Sequence, residues 1–193
     1  VIGRLPPGGH VDSVHIDEGQ AARLAVSHLV SRGATTVGYA APRLVDDASR
    51  SQREKALARA AAEAGLPLVT EEGDDNGAGR AIRRLLAEAP GVGLVAHNDM
   101  LAIDAVAVLR ETTGGEEGLR RAPLVSYDNT YLARRDEFAL TSVEQPERFL
   151  ARQALRLVTE RVAALADGPG SPLPARDVEA EGRLIVRGSS TVT

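Results

Sequence analysis

The sequence predicts an α/β protein built on doubly wound parallel sheets, and three observations carry that expectation. Strand-like apolar runs alternate with amphipathic helical stretches, and the connections between them are short. Two of the runs end in polar pairs, Asn98-Asp99 and Asp128-Asn129. Open α/β sheets bind ligands at the carboxyl ends of their strands, so these pairs are the first candidates for a small-molecule site.

Taken in order, the Pro6-Pro7-Gly8-Gly9 turn precedes an extended segment at 11–16. Asp17 can cap a helix over 18–32, with Ala21, Ala22, Ala25, Val26 and Leu29 as its inward stripe and Gly33 as its stop. Residues 35–41 are β-rich. A helix over 49–64 ends at Gly65, and 66–69 is a short strand. A helix over 77–88 turns Ile82, Leu85 and Leu86 inward, and 92–96 is the next strand. Helix 99–112 leads through Gly114-Gly115 to strand 123–127, and 138–143 reads as another strand. Gln145-Pro146 opens a long helix over 147–166 with Leu150, Ala154, Leu157, Val158 and Leu165 as its apolar face. The Gly- and Pro-rich stretch 168–174 reads as a loop, and 176–188 as a terminal pair of strands turning near Glu181-Gly182.

The 193 residues can bury a core as one ordinary domain or two small lobes. Hydrophobic residues at 43% and charged residues at 26% are globular values, and no apolar run approaches the length of a bilayer span. The absence of cysteine excludes disulfides, thiolate metal sites and cysteine nucleophiles. A net charge of −4 without a basic block makes this chain by itself a poor grip for nucleic acid. Val1-Ile2-Gly3-Arg4 lacks the features of a secretory signal and reads like the end of a strand, so the natural protein is expected to begin earlier.

Several short motifs then follow one another. They are Val1-Ile2-Gly3-Arg4; Ile16-Asp17 before a helix ending His28-Leu29-Val30-Ser31-Arg32-Gly33; Val37-Gly38-Tyr39; Ser49 with Arg53; and Ala64-Gly65-Leu66. After them come Asn98-Asp99 with Ala102, Ser126-Tyr127-Asp128-Asn129, Leu140-Thr141-Ser142-Val143 with Gln145-Pro146, and the tail Leu184-Ile185-Val186-Arg187-Gly188-Ser189-Ser190-Thr191. That order resembles the effector-binding region of LacI/GalR-family transcriptional repressors over nearly the whole chain. The resemblance implies two lobes of periplasmic-binding-protein type with a small polar effector, such as a sugar or nucleoside-type molecule, between them. It implies a cytoplasmic homodimer that reaches operator DNA through a domain absent from this chain, with no enzyme activity, no cofactor, no metal and no membrane partner. The first lobe would be incomplete: 1–33 and 145–168 would belong to it, and 34–142 with 175–190 to the second.

On the same resemblance, Asp128 is the leading effector contact, since an ionised carboxylate accepts two hydrogen bonds from vicinal hydroxyls; a turn or helix cap is its structural alternative. Asn98 offers a donor and an acceptor at the neighbouring strand end and can also cap helix 99–112. Arg53 matches the family's effector-contacting arginine, and Ser49 lies one helical turn earlier on the same face. Gln145, at a lobe crossover, is a ligand contact or a hinge hydrogen bond, and Asp17 a ligand contact or a helix cap. Replacing Arg53 or Asp128 by Ala is expected to abolish effector response and leave the fold intact. Three departures stand out: Asp104 and Ala56 replace family glycines, which points to altered helix packing, and Asp75 stands where many relatives place a stacking aromatic.

Two other functions fit parts of the pattern. A secreted solute-binding protein would share lobes and cleft, and a hydrolase could use Asp99, Asp128 and His97 but lacks a nucleophile motif. His10, His15 and Asp17 have poor spacing for a metal and read as surface residues, and Gly77-Ala78-Gly79 lacks the features of a phosphate loop.

Overall fold

In a computed structural model, the described residues are 11–43, 48–74, 76–113, 117–166 and 173–191, with backbone only at 48, 49 and 113. Their elements are β1 (Ser13–Ile16), α1 (Glu18–Ser31), β2 (Thr36–Ala41), α2 (Ala48–Glu63), β3 (Leu68–Glu72), α3 (Gly79–Glu88) and β4 (Val92–Ala96). Then come α4 (Asp99–Thr113), α5 (Glu117–Arg121), β5 (Leu124–Asp128), β6 (Thr141–Glu144), α6 (Glu147–Ala166), β7 (Asp177–Ala180), β8 (Arg183–Ile185) and a 3₁₀ turn at Gly188–Ser190. The main sheet has the order β3-β2-β4-β5-β6-β8, parallel except for β8. Strand order reverses direction between β2 and β4, which opens a crevice at their carboxyl ends.

Alternation along the strands divides the core between two helical layers. Val37, Tyr39, Val95, Val125, Tyr127 and Val143 pack against α1 and α2, through Ala21, Ala25, Leu29, Leu57 and Ala61. Ala40, Leu94, Ala96 and Leu124 face α3 and α4, through Ile82, Leu85, Ala105 and Leu109. Asp104 explains one of the family departures. Its carboxylate accepts from the Ala78 N–H at 2.9 Å, serving the α3 amino terminus, whose own cap residue provides no side-chain bond. The carboxylate occupies space that only glycine leaves at Gly77, where a Cβ would lie 2.3 Å from Asp104 Oδ2.

A second, two-stranded parallel sheet pairs β1 with β7, and α6 covers one side of it through Leu150, Ala154 and Leu157 against Val14 and Ala180. Arg161 clamps this unit, donating to both oxygens of Asp12 at 2.7 and 2.6 Å. The tail therefore departs from the expected hairpin: β7 lies on β1, while β8 runs antiparallel on β6. Between them Gly182 is a crossover point, where a Cβ would lie 2.9 Å from Ile16 Cδ1. The Gln20 side chain bonds both its N–H and its carbonyl.

Contacts also divide the chain differently from the expected boundaries. Helix α1 packs on α2 and the main sheet, so the chain leaves the small unit at Asp17; β7 lies in the small unit although it falls within 175–190. On α6, Val158 and Leu165 are exposed, contrary to expectation, because among the described residues the small unit offers the helix two strands to cover. Strand β6 begins at Thr141; residues 138–140 precede it outside any strand, and Ala139 has φ 42°. Tail residues Ser189 and Ser190 are buried plugs: Ser189 Oγ donates to Leu124 O and accepts from Thr141 N–H, each at 2.8 Å.

Candidate functional site

Strands β4, β5 and β6 end side by side, and their terminal residues assemble a polar cluster. Its centre is Asp99, 1% exposed, in the first turn of α4. Oδ1 accepts from Ser126 Oγ at 2.6 Å and Ser142 Oγ at 3.0 Å; Oδ2 accepts from the Thr130 N–H at 2.6 Å and Thr130 Oγ at 2.8 Å. A carboxylate with four donors is already satisfied, so Asp99 ties three strand ends together and offers no reactive oxygen. This removes it from the hydrolase constellation considered above.

Asp128 lies at the β5 terminus with φ 94°, followed by Asn129 at φ 52°. Asp and Asn tolerate this left-handed region better than other side chains, and its use at two consecutive residues turns the chain sharply out of the sheet. Asn129 is buried and spent on structure: its amide donates to Glu144 at 2.9 Å and accepts from Arg187 at 2.7 Å. Asp128 is half-buried and accepts from Gln145 Nε2 at 2.7 Å. Burial pushes its carboxyl above the usual range, opposed by the charge of Arg53 and by the Gln145 bond. Both residues line an open pocket of about 200 Å³ with Thr130, Tyr131, Arg134, Glu144 and Glu147. Tyr131 is 72% exposed there.

Arg53 has a more crowded setting than a free ligand contact. It is 4% exposed; Nε and one terminal nitrogen donate to the two oxygens of Glu18 at 3.1 and 2.8 Å, and the other terminal nitrogen donates to the His97 carbonyl. Its guanidinium carbon stands 3.9 Å from the Tyr127 ring centroid, a cation–π geometry. Burial disfavours the charge, but the Glu18 carboxylate overcomes this and raises the arginine pKa. The Tyr39 hydroxyl meets His97 Nδ1 at 2.6 Å, which anchors the imidazole. Glu18 is the residue the sequence reading missed. Its one mark is an acid in a first helical turn, which the helix dipole would explain equally well.

The remaining candidates fall on either side of this cluster. Asn98 accepts from the Leu101 N–H at 3.0 Å and caps α4, and Asp17 accepts from the Gln20 N–H at 3.0 Å and caps α1. Ser49 lies in the first turn of α2, but its side chain, like Asp75 and His10, lies outside the described residues. His15 is buried rather than superficial. Its Nδ1 faces the Ile16 carbonyl at 2.9 Å and lies 3.9 Å from Glu179, and its Nε2 meets Asp177 at 2.8 Å, so the histidine groups with strand β7 and not with Asp17.

Tyr127 carries a buried hydroxyl with no hydrogen-bond partner among the described residues. Because an unpaired buried hydroxyl costs stability, Tyr127→Phe is expected to raise the unfolding free energy by about 1 kcal/mol in urea titrations. A comparable loss instead would mean that the hydroxyl is used.

Residues 26–190 match the model of the periplasmic binding protein-like domain. The chain is 32% identical over 183 residues to the HTH-type transcriptional regulator GalR of Escherichia coli (strain K12), covering 90% of this chain and 50% of that protein. It is 28% identical over 166 residues to the HTH-type transcriptional repressor PurR of Aliivibrio salmonicida, covering 81% and 48%. The chain thus spans about half the length of the curated relatives it matches. Among solved structures, a complex of the transcriptional regulator CelR with cellobiose superposes with a TM-score of 0.81 at 27% identity, covering 98% of this chain and 57% of that one. A dimeric Lac repressor shares the fold, with a TM-score of 0.77 at 19% identity over 96% of this chain and 66% of that one.

Proposed function

The chain belongs to the periplasmic binding protein-like domain family, in the effector-binding form of LacI/GalR regulators, and from that premise we propose that it senses a small polar effector for a DNA-binding repressor. The carrying observation is the Asp128–Gln145 hydrogen bond. It joins the end of β5 to the residue at which the chain leaves β6 for α6 and the small unit, so a ligand there touches both sides of a crossover. A sugar or nucleoside-type ligand would lie against Asp128, Gln145 and Asn98, with Arg53 behind, and Ser49 stays a candidate contact from its place in the first turn of α2. Tyr131 supplies the aromatic face that Asp75 does not.

Effector binding makes or breaks no bond. It acts by having different affinity for two lobe orientations, which shifts operator affinity by the same free energy across a cytoplasmic homodimer. The relatives named are regulators rather than transport proteins, which does not favour the solute-capture alternative. Among the described residues no helix is long and apolar enough to cross a membrane.

Calorimetry with cellobiose, galactose, ribose and hypoxanthine tests the site. Asp128→Ala is expected to weaken the ligand that binds by about 10- to 100-fold, as loss of hydrogen bonds to a charged acceptor would. Unchanged affinity would remove Asp128 from the site.

A further inference from the structure

We propose that Glu18 sets the charge selectivity of the effector cleft: it occupies the Nε edge of the Arg53 guanidinium with both carboxylate oxygens and leaves the site open to uncharged hydroxylated ligands and closed to anionic ones. The proposal rests on the effector-cleft reading above and adds the class of ligand that the cleft admits.

A buried arginine at the carboxyl end of a sheet would ordinarily attract carboxylates and phosphates, which it can grip with two parallel bonds. Here that mode is already filled from within the chain. Glu18 presents one oxygen to Nε and the other to a terminal nitrogen, while the His97 carbonyl takes the remaining terminal nitrogen. The two side chains are 5% and 10% exposed, so water screens the pair little. An anion that displaced Glu18 would strand a buried carboxylate without its partner, and would draw Arg53 away from Asp128, whose ionisation burial opposes and the Arg53 charge supports. An anion that left the pair intact would meet Asp128, Glu144 and Glu147 at the pocket wall, where Arg134 is the one cation among the described residues.

An uncharged ligand meets neither obstacle. Of the five guanidinium N–H groups, three donate to described residues, and a hydroxyl or ring oxygen that reached either of the other two would leave the ion pair undisturbed. Asp128 accepts from ligand hydroxyls, which an anionic group in the same position cannot supply.

Two measurements test this. The first uses sulfate as an anion probe, comparing thermal stability and calorimetric binding with chloride at equal ionic strength. Wild-type sulfate affinity should lie at or below the detection limit, and Glu18→Gln, which keeps the side-chain shape and one acceptor oxygen, should bind sulfate at least tenfold more tightly than that limit. Glu18→Gln combined with Arg53→Met should lose that gain. Sulfate binding by wild type that disappears in Arg53→Met, or no gain in a folded Glu18→Gln, overturns the proposal.

The second needs no variant and compares galactose with galacturonate and ribose with ribose 5-phosphate on wild type. The neutral member of a binding pair should be favoured at least tenfold, and an equal or tighter anionic member overturns the proposal. If none of the four binds, the sugar-effector reading fails, and the sulfate comparison still decides the role of Glu18.

Discussion

Asp99→Ala is expected to lower the unfolding free energy by about 4 kcal/mol, a large fraction of a typical domain's stability. The substitution removes the acceptor for four hydrogen bonds in a site 1% exposed. The donors differ in how far they can adapt. Ser126 Oγ already lies 3.4 Å from the Thr141 carbonyl and can turn toward it, while the Thr130 N–H is fixed by the backbone and stays unpaired. The loss should also release the loop after Asp128, so amide exchange at Thr130 should accelerate more than exchange in α1. Asp99→Asn, which keeps one acceptor oxygen, should cost less than Ala. Urea unfolding measures both variants, and a loss below about 1 kcal/mol for Ala would show that the four bonds do not organise the strand ends.

Arg53→Met should cost about 3–5 kcal/mol, the usual consequence of leaving a buried charge without its partner. The expectation that this position could be emptied with the fold intact therefore does not survive the geometry. The stranded group is Glu18, held in the first turn of α1 against the main sheet. A cycle with Glu18→Leu separates pair from packing: two apolar residues in place of the pair should recover most of the loss, because no buried charge remains. If the double variant is as unstable as Arg53→Met alone, the arginine contributes through Tyr127 and the His97 carbonyl instead. Effector titrations on Arg53 variants are interpretable only beside such stability data. Asp128, half-buried and bonded to Gln145 alone among the described side-chain donors, carries the cleaner functional test.

Much of this architecture was legible before any coordinates. The helix observed at Asp99–Thr113 was expected over 99–112, that at Ala48–Glu63 over 49–64, and that at Glu147–Ala166 over 147–166. These spans are written in local signals: a period of 3.6 in apolar residues, a capping side chain and a stop. The placement of Asn98 and Asp128 at strand ends was equally local, since each follows an apolar run directly. Helix α5 went unread because five residues are too few to show a period.

What the sequence determined by itself was the alternation of elements, the doubly wound fold class and the candidate strand ends, because all of these depend on the spacing of neighbouring residues. Tertiary structure decided which polar residues are free and which are spent. Asp99 and Asp128 look alike in the chain, yet one holds four donors in the core and the other faces a pocket. Arg53 and Glu18 are 35 residues apart, and β7 and β8 read as a hairpin until their partners, β1 and β6, are known. Periodicity records the face on which a side chain lies. The partner it meets there depends on how distant elements pack, and that pairing sets burial, charge and hydrogen bonding.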